Sequence, residues 1–255
     1  CLFSMEDRIK NILKKIVDKS HVYLFNSFDE ALKQLTNLFK YKTFLVQDQC
    51  YLQQYKEVET YNEVKTNYGL IDLKDLAKKC PNKILIVNSS NQYIAEQQME
   101  DIMEKTRENN CFVINDVSGN IGLGSARYGD YIICDFGKDT MANLGYGCFI
   151  ASNNELKLAE NFDNSKLKDI FERLSELEDR MRYLYWINEK VKKDLKLMNV
   201  LHKDKRGINV LVRLENEDEK KRIIKYCEKN QLDFTMKPKY IKMNENIIAI
   251  DVNKK

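Results

Sequence analysis

Four short apolar runs between residues 83 and 154, KILIVNSS, CFVINDVSG, DYIICDFG and GCFIASNN, restrict the fold more than any other feature. They are separated by a helical stretch or by turns, the pattern of βαβ units in a mostly parallel sheet covered by helices. AEQQMEDIMEKTREN at 95–109 predicts a crossover helix, with Met99, Ile102 and Met103 as its apolar stripe. Upstream, residues 21–49 predict a helix over about 28–39 and a strand near 43–47, and DLKDLAKK at 72–79 predicts a short helix. The expected fold is α/β, a mostly parallel central sheet with flanking helices.

Past ASNNE the character changes. Over 166–197, Leu167, Ile170, Phe171, Leu174, Leu177, Met181, Leu184, Val191 and Leu195 recur at steps of three and four, which describes one long amphipathic helix. INVLVRL, EDEKKRIIKYCEKN and IIAIDV then read as strand, helix and strand. The expected division is a large unit over 1–160 and, over 161–255, the long helix with a small α+β unit.

The 42 basic and 39 acidic side chains of the 255-residue chain nearly cancel, at a net +3, and they are interleaved, as in ENEDEKKR. Such interleaving marks solvated helix faces and argues against a nucleic-acid-binding stripe. HKDKRG at 202–207 is the main basic exception and reads as a polar turn before a strand. No apolar run reaches the roughly 18 residues of a membrane span, and MEDRIKNILKKIV is an amphipathic helix with charges throughout, not a signal peptide. The seven cysteines are irregularly spaced with no CxxC, which points to a reducing cytoplasm and away from zinc or disulfides. With only His21 and His202, a histidine metal site or Ser/His relay has little to draw on.

In an open α/β sheet, ligands bind beyond the carboxyl ends of the strands. Asp116 ends CFVIND and is followed by Ser118; Cys134 and Asp135 end the next run, and Lys138 comes three residues later. A carboxylate, a hydroxyl and an amine are therefore expected to converge there. GNIGLG at 119–124 has the wrong spacing for a dinucleotide fingerprint.

Four stretches in order, FNSFDEALKQL, NYGLIDLKDLAKK, CFVINDVSGNIG and YGDYIICDFGKDTMANLGYGCFIASN, resemble the DegT/StrS-like aminotransferases, pyridoxal phosphate (PLP)-dependent transferases of fold type I. The resemblance implies that Asp116 pairs with the pyridine nitrogen, that Ser118, Ser27 and Tyr51 help to hold the cofactor, and that the segment before GYG carries the Schiff-base lysine. PLP is an electron sink whose ring nitrogen a facing carboxylate keeps protonated, and a lysine amine must form the aldimine.

The chain departs from that pattern. The lysine position is Thr140, and Lys138 lies two residues early, within reach of the site by side-chain length. Phe28-Asp29 and Asp135 stand where the family's phosphate cup carries small and hydroxyl residues. The expectation is a degenerate, short family member that holds PLP weakly or not at all and acts as a binding or partner subunit, either a homodimer or paired with an intact relative. RYLYWINEKV at 182–191 is the aromatic patch for such a contact or for packing on its own large unit. Two alternatives stay open: an active aminotransferase on an amino sugar or amino acid that uses Lys138, and a small-molecule or nucleotide-binding α/β protein unrelated to PLP.

Overall fold

A computed structural model describes residues 4–50 and 55–253. Helix α1 (Met5–Val17) starts at a reciprocal cap in which the Ser4 hydroxyl accepts from the Asp7 amide and the Asp7 carboxylate accepts from the Ser4 amide. Its Ile9, Leu13 and Val17, one turn apart, are all buried. Strand β1 (His21–Phe25), helix α2 (Phe28–Asn37) and strand β2 (Phe44–Gln47) follow. Three short strands, β3 (Tyr61–Val64), β4 (Thr66–Asn67) and β5 (Leu70–Ile71), lead to helix α3 (Leu73–Lys79). Then come β6 (Ile84–Asn88), α4 (Met99–Glu108), β7 (Phe112–Asp116), β8 (Tyr131–Asp135) and β9 (Cys148–Ser152). The C-terminal part holds α5 (Leu167–Asp194), β10 (Asn199–Val200), β11 (Asn209–Arg213), α6 (Glu217–Asn230), β12 (Asp233–Thr235) and β13 (Ile247–Asp251).

The main sheet has seven strands in the order β1-β9-β8-β7-β6-β2-β3. The pairings from β8 through to β3 are parallel, while β9 runs antiparallel to both β8 and β1. The mostly parallel expectation holds, and the antiparallel end is supplied by β1 and β9. A second sheet of four strands, β10-β11-β13-β12, is antiparallel throughout.

Alternate residues along a strand face opposite sides, so each apolar run serves two cores. Ile114, Ile133 and Ile150 pack with Leu32 and Leu35 of α2 on one face. Leu85 and Val113 pack with α3 and α4 on the other, and Ile132, Cys134 and Phe149 join α1 and α5 there. That last cluster continues into the second sheet through Val210, Val212 and Ile250, so α5 is covered by both sheets. The six described cysteines, Cys50, Cys80, Cys111, Cys134, Cys148 and Cys227, are all buried free thiols. No helix among the described residues is long and apolar enough to cross a membrane.

The carboxyl ends of the parallel strands are polar, which is where strand alternation stops constraining residue type. Gln47 ends β2, Asn88 ends β6, Asp116 ends β7 and Asp135 ends β8. They are wired laterally: Gln47 Oε1 accepts from the Asn88 amide at 3.2 Å, and Asn88 Nδ2 donates to Asp116 at 3.1 Å. This row is the floor of the site.

Candidate active site

A crevice of about 240 Å³ opens above that row, lined by Phe28, Asp29, Tyr93, Asp116, Ser118, Asp135, Lys138 and Tyr240. Five segments meet there: the first turn of α2, the turn after β6, the ends of β7 and β8 with their loops, and the loop before β13.

Asp116 is almost fully buried, and its carboxylate is saturated by the chain. Oδ1 accepts from the Ser118 amide at 3.0 Å and the Ser118 hydroxyl at 2.5 Å; Oδ2 accepts from Asn88 Nδ2 at 3.1 Å and the Tyr55 hydroxyl at 3.2 Å. Burial raises its pKa above the usual carboxylate value despite the hydrogen bonds from Ser118, Asn88 and Tyr55 that oppose it. Ser118 is fully engaged too, since its oxygen also accepts from the Asp135 amide at 2.8 Å.

Asp135 is different. Among the described residues its Oδ1 accepts only from the Gly137 amide, at 2.8 Å. Gly137 is required by that close approach, because a Cβ there would lie 2.4 Å from Asp135 Oδ2. Burial pushes the Asp135 carboxyl up to about 6; the nearby Asp116 and Asp29 charges add to the rise, and the Gly137 N–H opposes it.

Lys138 is exposed at the rim, its stem running over Gly145. Among the described residues its amine makes no ion pair within 4.0 Å. Thr140, where the resemblance puts the Schiff-base lysine, is 1% exposed and does not border the crevice. Its hydroxyl donates to the Gly137 carbonyl at 2.8 Å and accepts from the Asn143 amide at 3.1 Å, so it ties the loop together. Ser27 caps α2, accepting from the Glu30 amide at 3.3 Å, and does not line the crevice. Asp29 does, and it pairs with Lys56 at 2.5 Å. Tyr51 lies outside the described residues.

The crevice therefore gathers Asp116, Ser118, Asp135, Lys138 and Asp29 from the sequence-based set and leaves Thr140 and Ser27 outside. It also contains residues that sequence reasoning missed: Tyr93, Tyr240 and, beneath the floor, Tyr55 and Asn88. Asn91, Gln92 and Tyr93 have φ of 45°, 54° and 73°, three successive non-glycine residues in the left-handed region. Each such residue costs roughly 1–3 kcal/mol, a strain that collects at functional sites. Asn88 Oδ1 holds the turn by accepting from the Ser90 amide, the Ser90 hydroxyl and the Gln92 amide. Outside, the Tyr93 carbonyl accepts from the Ile208 and Asn209 amides at 2.8 and 2.9 Å, docking the second sheet. Gly207 permits that approach, since a Cβ there would sit 2.1 Å from the Ile94 carbonyl oxygen. The HKDKRG stretch is thus the turn before a strand, and its glycine is a docking point. The buried Gln92 carboxamide approaches the Tyr55 hydroxyl without satisfying either of its own polar atoms. The one available signal was NSSNQY itself, a polar run ending in an aromatic at a strand's carboxyl end.

No protein-family model matches the sequence, and no curated protein does. Solved structures do match the fold. A serine palmitoyltransferase from S. paucimobilis with a bound PLP–myriocin aldimine superposes at a TM-score of 0.74 with 12% identity, over 98% of this chain and 71% of that one. A DegT/DnrJ/EryC1/StrS aminotransferase from Brucella abortus gives 0.73 with 14% identity, over 98% and 85%. NtdA from Bacillus subtilis with bound PMP gives 0.74 with 13% identity, over 98% and 73%. The chain has the fold of PLP-dependent transferases. Identities this low speak to the fold alone.

Proposed function

We propose that the chain is an aminotransferase-like protein that does not transaminate and serves as a binding or partner subunit. One observation carries this reading: both oxygens of Asp116 are satisfied by the chain's own donors. A pyridinium nitrogen needs one of those acceptor positions, and the Tyr55 hydroxyl holds it. The groups around the crevice also disfavour a phosphate dianion. The Ser27 oxygen is used by its own helix, while Asp29 and Asp135 face the space. Two like charges 4 Å apart repel by up to ~4 kcal/mol at an effective dielectric of 20, about three decades in affinity. These residues do not fit tightly bound PLP, and no chemical step is derived through it.

Absorbance with added PLP, before and after borohydride reduction, followed by peptide mapping, tests the reading. The expected result is no reduced adduct. An adduct on Lys138 would overturn it in favour of an active aminotransferase with a displaced lysine. That second reading rests on Lys138 lining the same crevice without an ion pair among the described residues.

The partner role belongs to the same proposal. On α5, Leu184, Ile187 and Val191 are buried, while Tyr183 and Trp186 are exposed and stack at 6.3 Å with Lys190 over the indole. The aromatic run thus has an inner face for its own core and an outer face that suits a second copy or an intact relative. Sedimentation at micromolar concentration, with a Trp186→Lys control, distinguishes a dimer from a monomer. A division near residue 160 and a reducing, cytoplasmic setting complete the proposal; the latter is supported by the buried free thiols.

A further inference from the structure

The crevice holds three carboxylates, Asp29, Asp116 and Asp135, against one lining amine, Lys138. Two of the carboxylates are committed: Asp29 pairs with Lys56, and Asp116 is saturated from within. Asp135 is not. Its Oδ2 has no hydrogen-bond or ion-pair partner among the described residues.

A second, independent feature points the same way. Tyr93 is only 7% exposed, lines the crevice and makes no side-chain hydrogen bond among the described residues. Its hydroxyl lies within electrostatic reach of Asp116 and Asp135. A phenol that borders a crevice can take its hydrogen bond from a bound molecule. This one is held in place by a strained backbone, by a ring contact with Tyr240 at 4.8 Å, and by close packing over Gly119, where a Cβ would meet its ring at 2.2 Å. An unused acceptor oxygen and an unused carboxylate oxygen in the same crevice, with the Phe28 and Tyr240 rings on the same walls, are complementary to N–H donors on a carbon body.

We propose that the crevice takes a small organic ammonium ion, its N–H donors shared by Asp135 Oδ2 and the Tyr93 hydroxyl and its carbon body lying among the Phe28, Tyr93 and Tyr240 rings. The inference rests on reading the crevice as a binding site without tightly bound PLP. A carboxylate gives a charge-assisted hydrogen bond, and aromatic faces attract cations. A metal ion is disfavoured because no group of three or more His, Cys, Asp or Glu among the described residues could hold one. The volume of about 240 Å³ is ample for a small amine.

The proposal has a pH signature. Facing Asp135 are Asp116 from β7, Asp29 from α2, Lys138 from its own loop, Tyr93, Tyr240, and the thiols of Cys134 and Cys148. The tyrosine and cysteine groups are pushed upward, so Asp135, at about 6, changes charge in the mildly acid range. Below that value it is protonated and neutral, so a cation binds less well there.

The test is calorimetric titration of the full chain with n-butylamine, with n-butanol, inorganic phosphate and PLP as controls. Saturable binding of the amine at about pH 8 is expected, about tenfold weaker at about pH 5, with no binding of the alcohol. Asp135→Asn, which keeps an acceptor for the Gly137 amide, is expected to lower affinity at least about tenfold, and Tyr93→Phe about three- to tenfold. Circular dichroism confirms that each variant is folded, and either variant alone decides the matter if the other is not. Phosphate or PLP binding more tightly than the amine, no amine binding, or amine affinity unchanged in a folded variant would each overturn the proposal. Failure here leaves the borohydride result standing, so the two readings fail separately.

Discussion

Replacing Asp135 by Asn should stabilise the protein near neutral pH. In the native chain burial pushes this carboxyl from the ordinary 3.8 to about 6, with the Asp116 and Asp29 charges adding to the rise. A rise of that size corresponds to about 3 kcal/mol of native-state cost for holding the charge once both folded and unfolded forms are ionised. The sign follows from proton counts. Between the two values the folded state binds more protons than the unfolded chain, so stability falls as pH rises through that window. Below the lower value both states are neutral at this group and the cost vanishes. Asn retains the acceptor that the Gly137 amide uses at 2.8 Å, so the turn is kept. Urea denaturation of both proteins at about pH 8 and about pH 4 is the assay. Asn should add roughly 1–3 kcal/mol at the higher pH and much less at the lower, the smaller end allowing for solvent at the crevice mouth. A substitution that destabilises at about pH 8 would refute the reasoning, because it would mean that the carboxylate already has a cation, Lys138 being the amine that lines the crevice. Stability gained by deleting a charge is what is expected where a site keeps that charge for binding.

Two further perturbations probe the floor and the loop. Tyr55→Phe removes one donor from the buried Asp116 carboxylate; a loss of about 1.5–3 kcal/mol is expected in denaturant melts, and a change within experimental error would mean that the phenol does not hold that acceptor. Thr140→Lys forces a long cation into a buried turn whose hydroxyl makes two hydrogen bonds; it should destabilise by roughly 2 kcal/mol or more without producing a borohydride-reducible PLP adduct, both read on the purified variant.

Strand positions were legible because alternation and apolar continuity set them directly. Asp116 and Asp135 could be placed at strand ends, and the strand ends converge in any parallel sheet. The interior start of α4 was not legible: the helix begins at Met99, past the expected Ala95. Residues 91–93 turn left-handed instead, and the Gln97 side chain is drawn off to the Gly69 carbonyl and the Ile71 amide. Loop side chains are the weak point of sequence reading, since no periodicity says which way they face. Hence Thr140 could be aligned with a catalytic position yet point into its own turn, and Ser27 could be a cup hydroxyl by position yet serve as a helix cap. Tyr93 and Tyr240 meet only because the second sheet docks against the turn after β6, a tertiary event. The short strands over 61–71 lack a strong apolar run and were not anticipated; β1 was not anticipated either, although Val22 to Phe25 form an apolar run.

Tyr93 has two ends with two audiences. Its ring lines the crevice, and its own backbone carbonyl receives the Ile208 and Asn209 amides where the chain enters β11. The same residue thus borders the crevice with its ring and carries, through its backbone, the contact to the entry of β11. Occupancy of the crevice, if it restrains Tyr93, would bear on the lifetime of these two backbone hydrogen bonds at the entry to β11. The exchange rates of the Ile208 and Asn209 amide protons are where such a link would be read.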